Sequence, residues 1–136
     1  MALTSGQLAR LCGISTDTLR HYERVGVLPR VPRTRSGYRQ YPAEAQPRVL
    51  MVRRALALGF SLAELARIFR VRERGGAPCR EVRRLAEGKL TEIERRLSEM
   101  TALRDELRGL LVDGDRQLAI TPEGMRAGLL ERLGKP

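Results

Sequence analysis

The residues able to do chemistry are few and scattered. The chain holds two cysteines, Cys12 and Cys79, and a single histidine, His21. No nucleophile stands at a recognisable spacing from a base and no glycine-rich phosphate loop is present, so enzyme catalysis is the weakest reading. Cys12 falls beside Leu8 and Leu11 at helical spacing and reads as a packed side chain. Cys79 precedes a long charged helix and is followed by Arg80 and Arg83, so the helix terminus and both cations favour thiolate. Three readings of Cys79 stand together: a ligand for a soft metal, a redox or electrophile switch, and a small packed residue. Two cysteines far apart, in a chain expected to be cytoplasmic, read as thiols rather than a disulfide.

Charge is the stronger signal. The 136 residues carry a formal net charge of +10. Residues 1–76 hold 14 Arg against 5 Asp/Glu, whereas residues 77–136 hold 12 Lys/Arg against 11 Asp/Glu. A basic first half suits a polyanion, because each neutralised phosphate releases condensed counterions. An acidic membrane surface is the second choice of partner. No apolar run approaches the roughly 20 residues of a bilayer span, and Met1-Ala2-Leu3-Thr4 does not begin like an export signal, so a soluble, cytoplasmic protein with no membrane span is expected.

The elements that carry these residues are helical. Thr4 with Gln7 is a capping box opening a short helix that Gly13 stops. Ser15 caps a second helix, in which Leu19 and Tyr22 point one way while Thr16, Arg20, His21 and Arg24 lie on other faces. Two short helices across Gly13-Ile14-Ser15 form a helix-turn-helix, whose second member reads the major groove from its N-terminal end. Ser15, Thr16, Thr18, Arg20 and His21 are its groove candidates. Residues 29–41, with Pro29, Pro32 and Gly37 among Arg30, Arg33, Arg35 and Arg39, read as a β-hairpin wing flanked by Tyr38 and Tyr41.

A third helix is expected to start between Ala43 and Arg48 and to run to Gly59-Phe60, and Ser61 with Glu64 caps a fourth. From Pro78 to about Val112 apolar residues recur in steps of three and four, at Val82, Leu85/Ala86, Leu90, Ile93, Leu97, Met100, Leu103, Leu107 and Leu110/Leu111. This is the coiled-coil pattern, and such a helix, about 50 Å long at 1.5 Å per residue, calls for the same helix of a second subunit. Asp113-Gly114-Asp115 is expected to break it. Thr121-Pro122-Glu123 is expected to open a tail helix striped with Met125, Leu129, Leu130 and Leu133. That stripe reads as core before it reads as a pocket for an organic effector beneath Met125 and Leu129. The expected organisation is a winged helix-turn-helix head at 1–76, a dimerisation helix at 77–112 and an effector-loop tail at 113–136.

These features together resemble the MerR family of bacterial transcription regulators. The resemblance is carried by Gln7-Leu8-Ala9-Arg10-Leu11-Cys12-Gly13-Ile14-Ser15, by Thr18-Leu19-Arg20-His21-Tyr22-Glu23-Arg24, by Gly26-Val27-Leu28, by Arg33 to Tyr41, and by Leu58-Gly59-Phe60-Ser61-Leu62. It implies a mainly α homodimer held by an antiparallel coiled coil, with its seam at Val82, Ala86, Leu90, Ile93, Leu97, Met100, Leu103, Leu107 and Leu110. Such a dimer sits on a pseudo-palindromic promoter with an overlong spacer and represses or activates RNA polymerase by deforming DNA. By position it also implies DNA contacts from Thr18, Arg20, Tyr22 and Arg24 and, in the wing, from Arg35, Tyr38 and Arg39; Arg33 is a further DNA-binding candidate of the wing.

Metal-sensing members of the family place their first cysteine ligand where Cys79 stands. Zn(II) and Hg(II) are therefore the candidate ions. The loop that supplies the other thiols reads Asp113-Gly114-Asp115-Arg116-Gln117 here, leaving Asp113 and Asp115 of a partner subunit as the remaining donors. Thiolate with carboxylate alone is a poor match to soft ions. The competing classes are a DNA binder without an effector, an architectural protein of low sequence discrimination, and an RNA binder, the last disfavoured by having only Tyr22, Tyr38 and Tyr41 for stacking.

Overall fold

The computed structural model describes residues 2–135. Six helices follow in order: α1 (Ser5–Cys12), α2 (Thr16–Val25), α3 (Ala45–Ala57), α4 (Leu62–Glu73), α5 (Cys79–Ile120) and α6 (Leu129–Arg132). Among the described residues there is no regular strand, only two isolated antiparallel bridges, Leu3 with Tyr41 and Arg33 with Arg39. The chain divides into two compact units, Met1–Lys89 and Leu90–Pro136.

The caps that the sequence announces are formed. Thr4 and Gln7 exchange hydrogen bonds across the start of α1, and Ser61 and Glu64 do the same for α4. Each box satisfies two backbone donors that would otherwise lack partners. Gly13 and Gly26 end α1 and α2 in the left-handed conformation, at φ 67° and 88°. Pro47 falls in the first turn of α3, where its missing N–H costs no helical bond.

The first unit closes over one core of Leu8, Ala9, Cys12, Leu19, Tyr22, Val27, Leu28, Tyr41, Ala45, Val49, Val52, Leu65, Ala66, Ile68 and Phe69. Val82 and Leu85, at the base of α5, pack against the same core. Val82, expected in the dimer seam, is half-buried against its own head in the single chain. Charged groups fasten the periphery. Arg53 donates to the Cys12 carbonyl at the end of α1. Arg48 donates to the Val27 carbonyl (2.9 Å) and to Glu73 (2.9 Å), with its guanidinium 3.8 Å from the Phe69 ring centre. Burial pushes the Cys12 thiol up, opposed in part by Arg53, so this cysteine is a protonated core residue as expected.

In the second unit the expected helix break does not occur, and α5 continues through Asp113-Gly114-Asp115 to Ile120. A mid-helix glycine costs about 1 kcal/mol relative to alanine. Here packing opposes that cost, since Gly114 is buried and a Cβ at this position would lie 2.8 Å from Leu129 Cδ2. Asp113 then pairs with Arg132 at 2.9 Å. The tail helix is also shorter than expected: Thr121-Pro122-Glu123 lies in turns, Gly124 and Gly128 take φ of 85° and 75°, and α6 has four residues. Leu110, Leu111, Leu118, Leu129, Leu130 and Leu133 line an open apolar groove of about 380 Å³. Met125 stays outside it and exposed, which removes it from the expected effector pocket.

Leu19 is fully buried at the centre of the head. Leu19→Ala should destabilise the protein by about 2–5 kcal/mol, read as a lowered urea midpoint at unchanged m-value.

Candidate nucleic-acid interface

α2 starts from Ser15, whose Oγ accepts from the Thr18 backbone N–H (3.1 Å) and lies 2.9 Å from Thr18 Oγ1. Both side chains thus hold the helix terminus, which limits the base-reading role expected of Ser15 and Thr18. Thr16 is half-buried, and the exposed cations follow one turn on. Arg20 pairs with Asp17 at 2.5 Å, and Arg24 Nη2 lies 3.4 Å from His21 Nδ1. An exposed pair of this kind is worth at most about 1 kcal/mol, so a phosphate or a base edge can take Arg20 from Asp17 at little expense.

Tyr22 departs from its expected DNA-facing role. It is only 5% exposed and its ring belongs to the core, as the spacing of Leu19 and Tyr22 indicates. Burial pushes its phenol up against the opposing charge of Arg53. The position matched by resemblance is therefore structural in this fold.

The wing is a hairpin without a ladder. Thr34 N–H donates to the Tyr38 carbonyl (2.7 Å), Gly37 N–H to the Thr34 carbonyl (2.9 Å), and Gln40 N–H to the Pro32 carbonyl (2.9 Å). Gly37 at φ 85° turns the tip. Arg33 Nη1 donates to the Gly37 carbonyl at 3.1 Å, so one expected DNA contact also braces the turn. Reciprocal backbone bonds between Leu3 and Tyr41, at 2.6 and 2.8 Å, anchor the exit of the wing to the N-terminal segment. Arg35 is left exposed at the tip, and Tyr38 is 72% exposed.

The wing and α2 are joined by one ion pair, Arg39 to Glu23 at 2.8 Å, with side chains 22% and 10% exposed. Glu23 also faces Tyr41, whose phenol is pushed up by burial and then by that carboxylate. Arg39 is thus committed to holding the wing. Between the two elements lies a cleft of about 430 Å³ lined by Arg20, Glu23, Arg24, Arg30, Val31, Arg33 and Arg39. Five arginines against one paired carboxylate make it a receptor for anionic oxygens, with phosphate geometry suited to guanidinium forks. Arg30 and Glu23 were not singled out for the interface from sequence. Arg30 was absorbed into wing composition, and the signal for Glu23 was an acid at the centre of a strongly basic stretch.

Among the described residues no three His, Cys, Asp or Glu side chains cluster in a way that could hold an ion. Cys79 is exposed, Cys12 is buried in the core, and Asp113 is paired with Arg132. Soft ions select several thiolates.

A basic cleft between a helix-turn-helix and a wing defines a DNA-binding protein. Two family models match this chain: MerR family regulatory protein over residues 4–41, and MerR, DNA binding, over residues 47–110. The mercuric resistance operon regulatory protein of Bacillus cereus is 34% identical over 100 residues, covering 74% of this chain and 76% of the relative. The HTH-type transcriptional regulator HmrR of Rhizobium leguminosarum bv. viciae is 34% identical over 106 residues, covering 78% and 81%.

Solved structures agree. The transcription regulator PbrR691 from Ralstonia metallidurans CH34, in complex with lead(II), matches with a TM-score of 0.74 at 28% identity over 97% of this chain and 99% of its own. HiNmlR, a MerR family regulator lacking the sensor domain and bound to promoter DNA, matches with a TM-score of 0.58 at 25% identity over 88% and 95%. The chain belongs to the MerR family of DNA-binding transcription regulators.

Arg20→Ala and Arg35→Ala should separate two kinds of contact. Arg20→Ala should weaken binding to a selected duplex about tenfold or more and reduce discrimination against mismatched sites. Arg35→Ala should weaken all duplexes equally and reduce the slope of log K against log[salt] by about 0.9. Fluorescence anisotropy at several salt concentrations reads both, and unchanged slopes and ratios would remove these side chains from the interface.

Proposed function

We propose that the chain works as a homodimer on a pseudo-palindromic promoter element, with α2 in the major groove, the wing on flanking backbone, and the long helix joining two heads. The observation that carries this reading is the exposed seam of α5. Leu90, Ile93, Leu97, Met100, Leu103, Leu107 and Leu111 are each between 50% and 66% exposed in the single chain. Seven large apolar side chains in steps of three and four along one helix form a row that a second copy would bury. Ala86 and the half-buried Leu110 lie at the two ends of this row.

The groove contacts on this reading come from Thr16, Arg20, His21 and Arg24, with Ser15 and Thr18 ordering the helix start. The phosphate contacts come from Arg30, Arg33, Arg35 and Tyr38. A dimer that holds two heads rigidly imposes its own half-site separation on DNA, and deforming the intervening spacer is how it would present a promoter to RNA polymerase or withhold it. A DNA partner fits a protein of the bacterial cytoplasm. The missing thiol cluster argues against Zn(II) or Hg(II) as the signal and favours a regulator whose output does not run through a metal.

Selection from random duplexes should yield a site with two inverted half-sites, and sedimentation should give a dimer. Ile93→Asp with Leu97→Asp places charges in the seam, and should give a monomer whose operator affinity falls by at least 100-fold. A double variant that still sediments as a dimer, or a selected site with a single half, would overturn the proposal.

A further inference from the structure

Lys89 is the last residue of the head's compact unit, at the point where α5 leaves the core. Its side chain lies over the α3–α4 turn. Its ammonium is 2.8 Å from Glu64 Oε1 and 5.2 Å from the centre of the Phe60 ring, and its Cδ packs 3.8 Å from the position a Cβ on Gly59 would take. The same Glu64 oxygen accepts the Ser61 backbone N–H at 2.8 Å, closing the capping box of α4. One carboxylate oxygen therefore holds both the start of α4 and the eleventh residue of α5.

This clamp differs from the other ion pairs of the long helix. The pairs of Arg83 with Glu87, Arg84 with Glu81, and Arg95 with Glu92 and Glu99 are exposed and internal to α5. Pairs of this kind stiffen the helix. Lys89 and Glu64 are 24% and 18% exposed and join residues 25 apart in sequence. The hydrogen bond from Lys89, followed by that from the Ser61 backbone, holds the Glu64 carboxyl below its usual range, so the pair persists through mild acid. Val82 and Leu85 pack the base of α5 against the core, and Lys89 adds an ion pair to the cap of α4.

We infer that Lys89, through Glu64 and Phe60, is a positioning residue that sets the half-site spacing the dimer accepts. The inference rests on the dimer proposed above. In such a dimer the distance and rotation between two recognition helices are transmitted through the joint between each head and its long helix. A stiff joint makes binding sensitive to inserted base pairs, because each one moves a half-site by 3.4 Å and about 34°. A loosened joint lets each head follow its half-site. Lys89 and Glu64 touch neither the basic cleft nor the seam, so the clamp is separable from both DNA affinity and dimerisation.

The test uses the full-length protein and the duplex it selects, together with duplexes in which one or two base pairs are added or removed between the half-sites. Wild type and Lys89→Arg should lose about tenfold or more in affinity per base pair. Lys89→Met keeps an aliphatic stem beside Gly59 while removing the ammonium from Glu64 and Phe60, and should bind the parent duplex within about threefold of wild type while losing less than threefold per base pair. Glu64→Gln retains an oxygen for the capping box and should flatten the spacing profile in the same way, which guards against a folding defect in the first variant. Equal thermal midpoints and sedimentation for all four proteins would exclude loss of structure as the cause. Spacing penalties in both variants as steep as in wild type would overturn the clamp while leaving the dimer intact. A wild-type protein indifferent to spacing would overturn the two-half-site reading and the clamp with it.

Discussion

A helix of 42 residues with an apolar row along one side cannot bury that row against itself, and the rest of the structure is arranged around this constraint. At its base the problem is solved within the chain, where Val82 and Leu85 are drawn into the head core. At its far end a partial solution is provided by the tail, which turns back at Gly124 and Gly128 to lay Leu129 on Gly114. Between them, from Leu90 to Leu107, the apolar side chains of the row stay at least half exposed in the single chain. The division of the chain into two compact units after Lys89 falls where intramolecular cover gives out.

Charge is handled with similar economy. The first unit holds 18 Lys/Arg against 7 Asp/Glu, so self-repulsion opposes its compaction. Three of the acids stand at joints: Glu23 ties the wing to α2, Glu73 ties the end of α4 to Arg48, and Glu64 ties α4 to Lys89. Each neutralises a cation whose position matters to the fold. Among the remaining cations, Arg20, Arg24, Arg30 and Arg33 line the cleft and Arg35 stands at the wing tip, where phosphate can replace the missing counter-charge. Stability and recognition therefore draw on different arginines, although all look alike in composition.

Local signals made most of the head legible before its structure was known. Capping boxes, left-handed glycines and the steps of Leu8, Leu19 and Val49 depend on neighbours within a few residues, and these elements form where expected. What was misread depends on distant partners. Tyr22 was assigned to DNA by position in a family pattern, yet its own periodicity with Leu19 placed it in the core, and burial decides for the latter. Val82 shares the heptad steps of the seam and is claimed by the head instead. Arg39 counts as a basic wing residue in any linear reading, and only the fold brings it to Glu23, 16 positions away.

The failed break at Asp113-Gly114-Asp115 shows why such errors cluster in the tail. Glycine between two aspartates is a strong local stop signal, because it frees the backbone and the carboxylates compete for nearby N–H groups. That preference amounts to about 1 kcal/mol for the glycine and less for each aspartate. The helix continues because a tertiary contact depends on it: only a residue without a side chain admits Leu129 at this distance, and only a helical Asp113 meets Arg132. The same glycine that marks a terminus in sequence therefore serves as a docking notch in three dimensions. The same reasoning applies to the absent thiols. A tail fastened by one leucine, one notch and one half-exposed ion pair already has a packing role for the segment where metal-sensing members of the family carry ligands, so its sequence can follow packing rather than coordination.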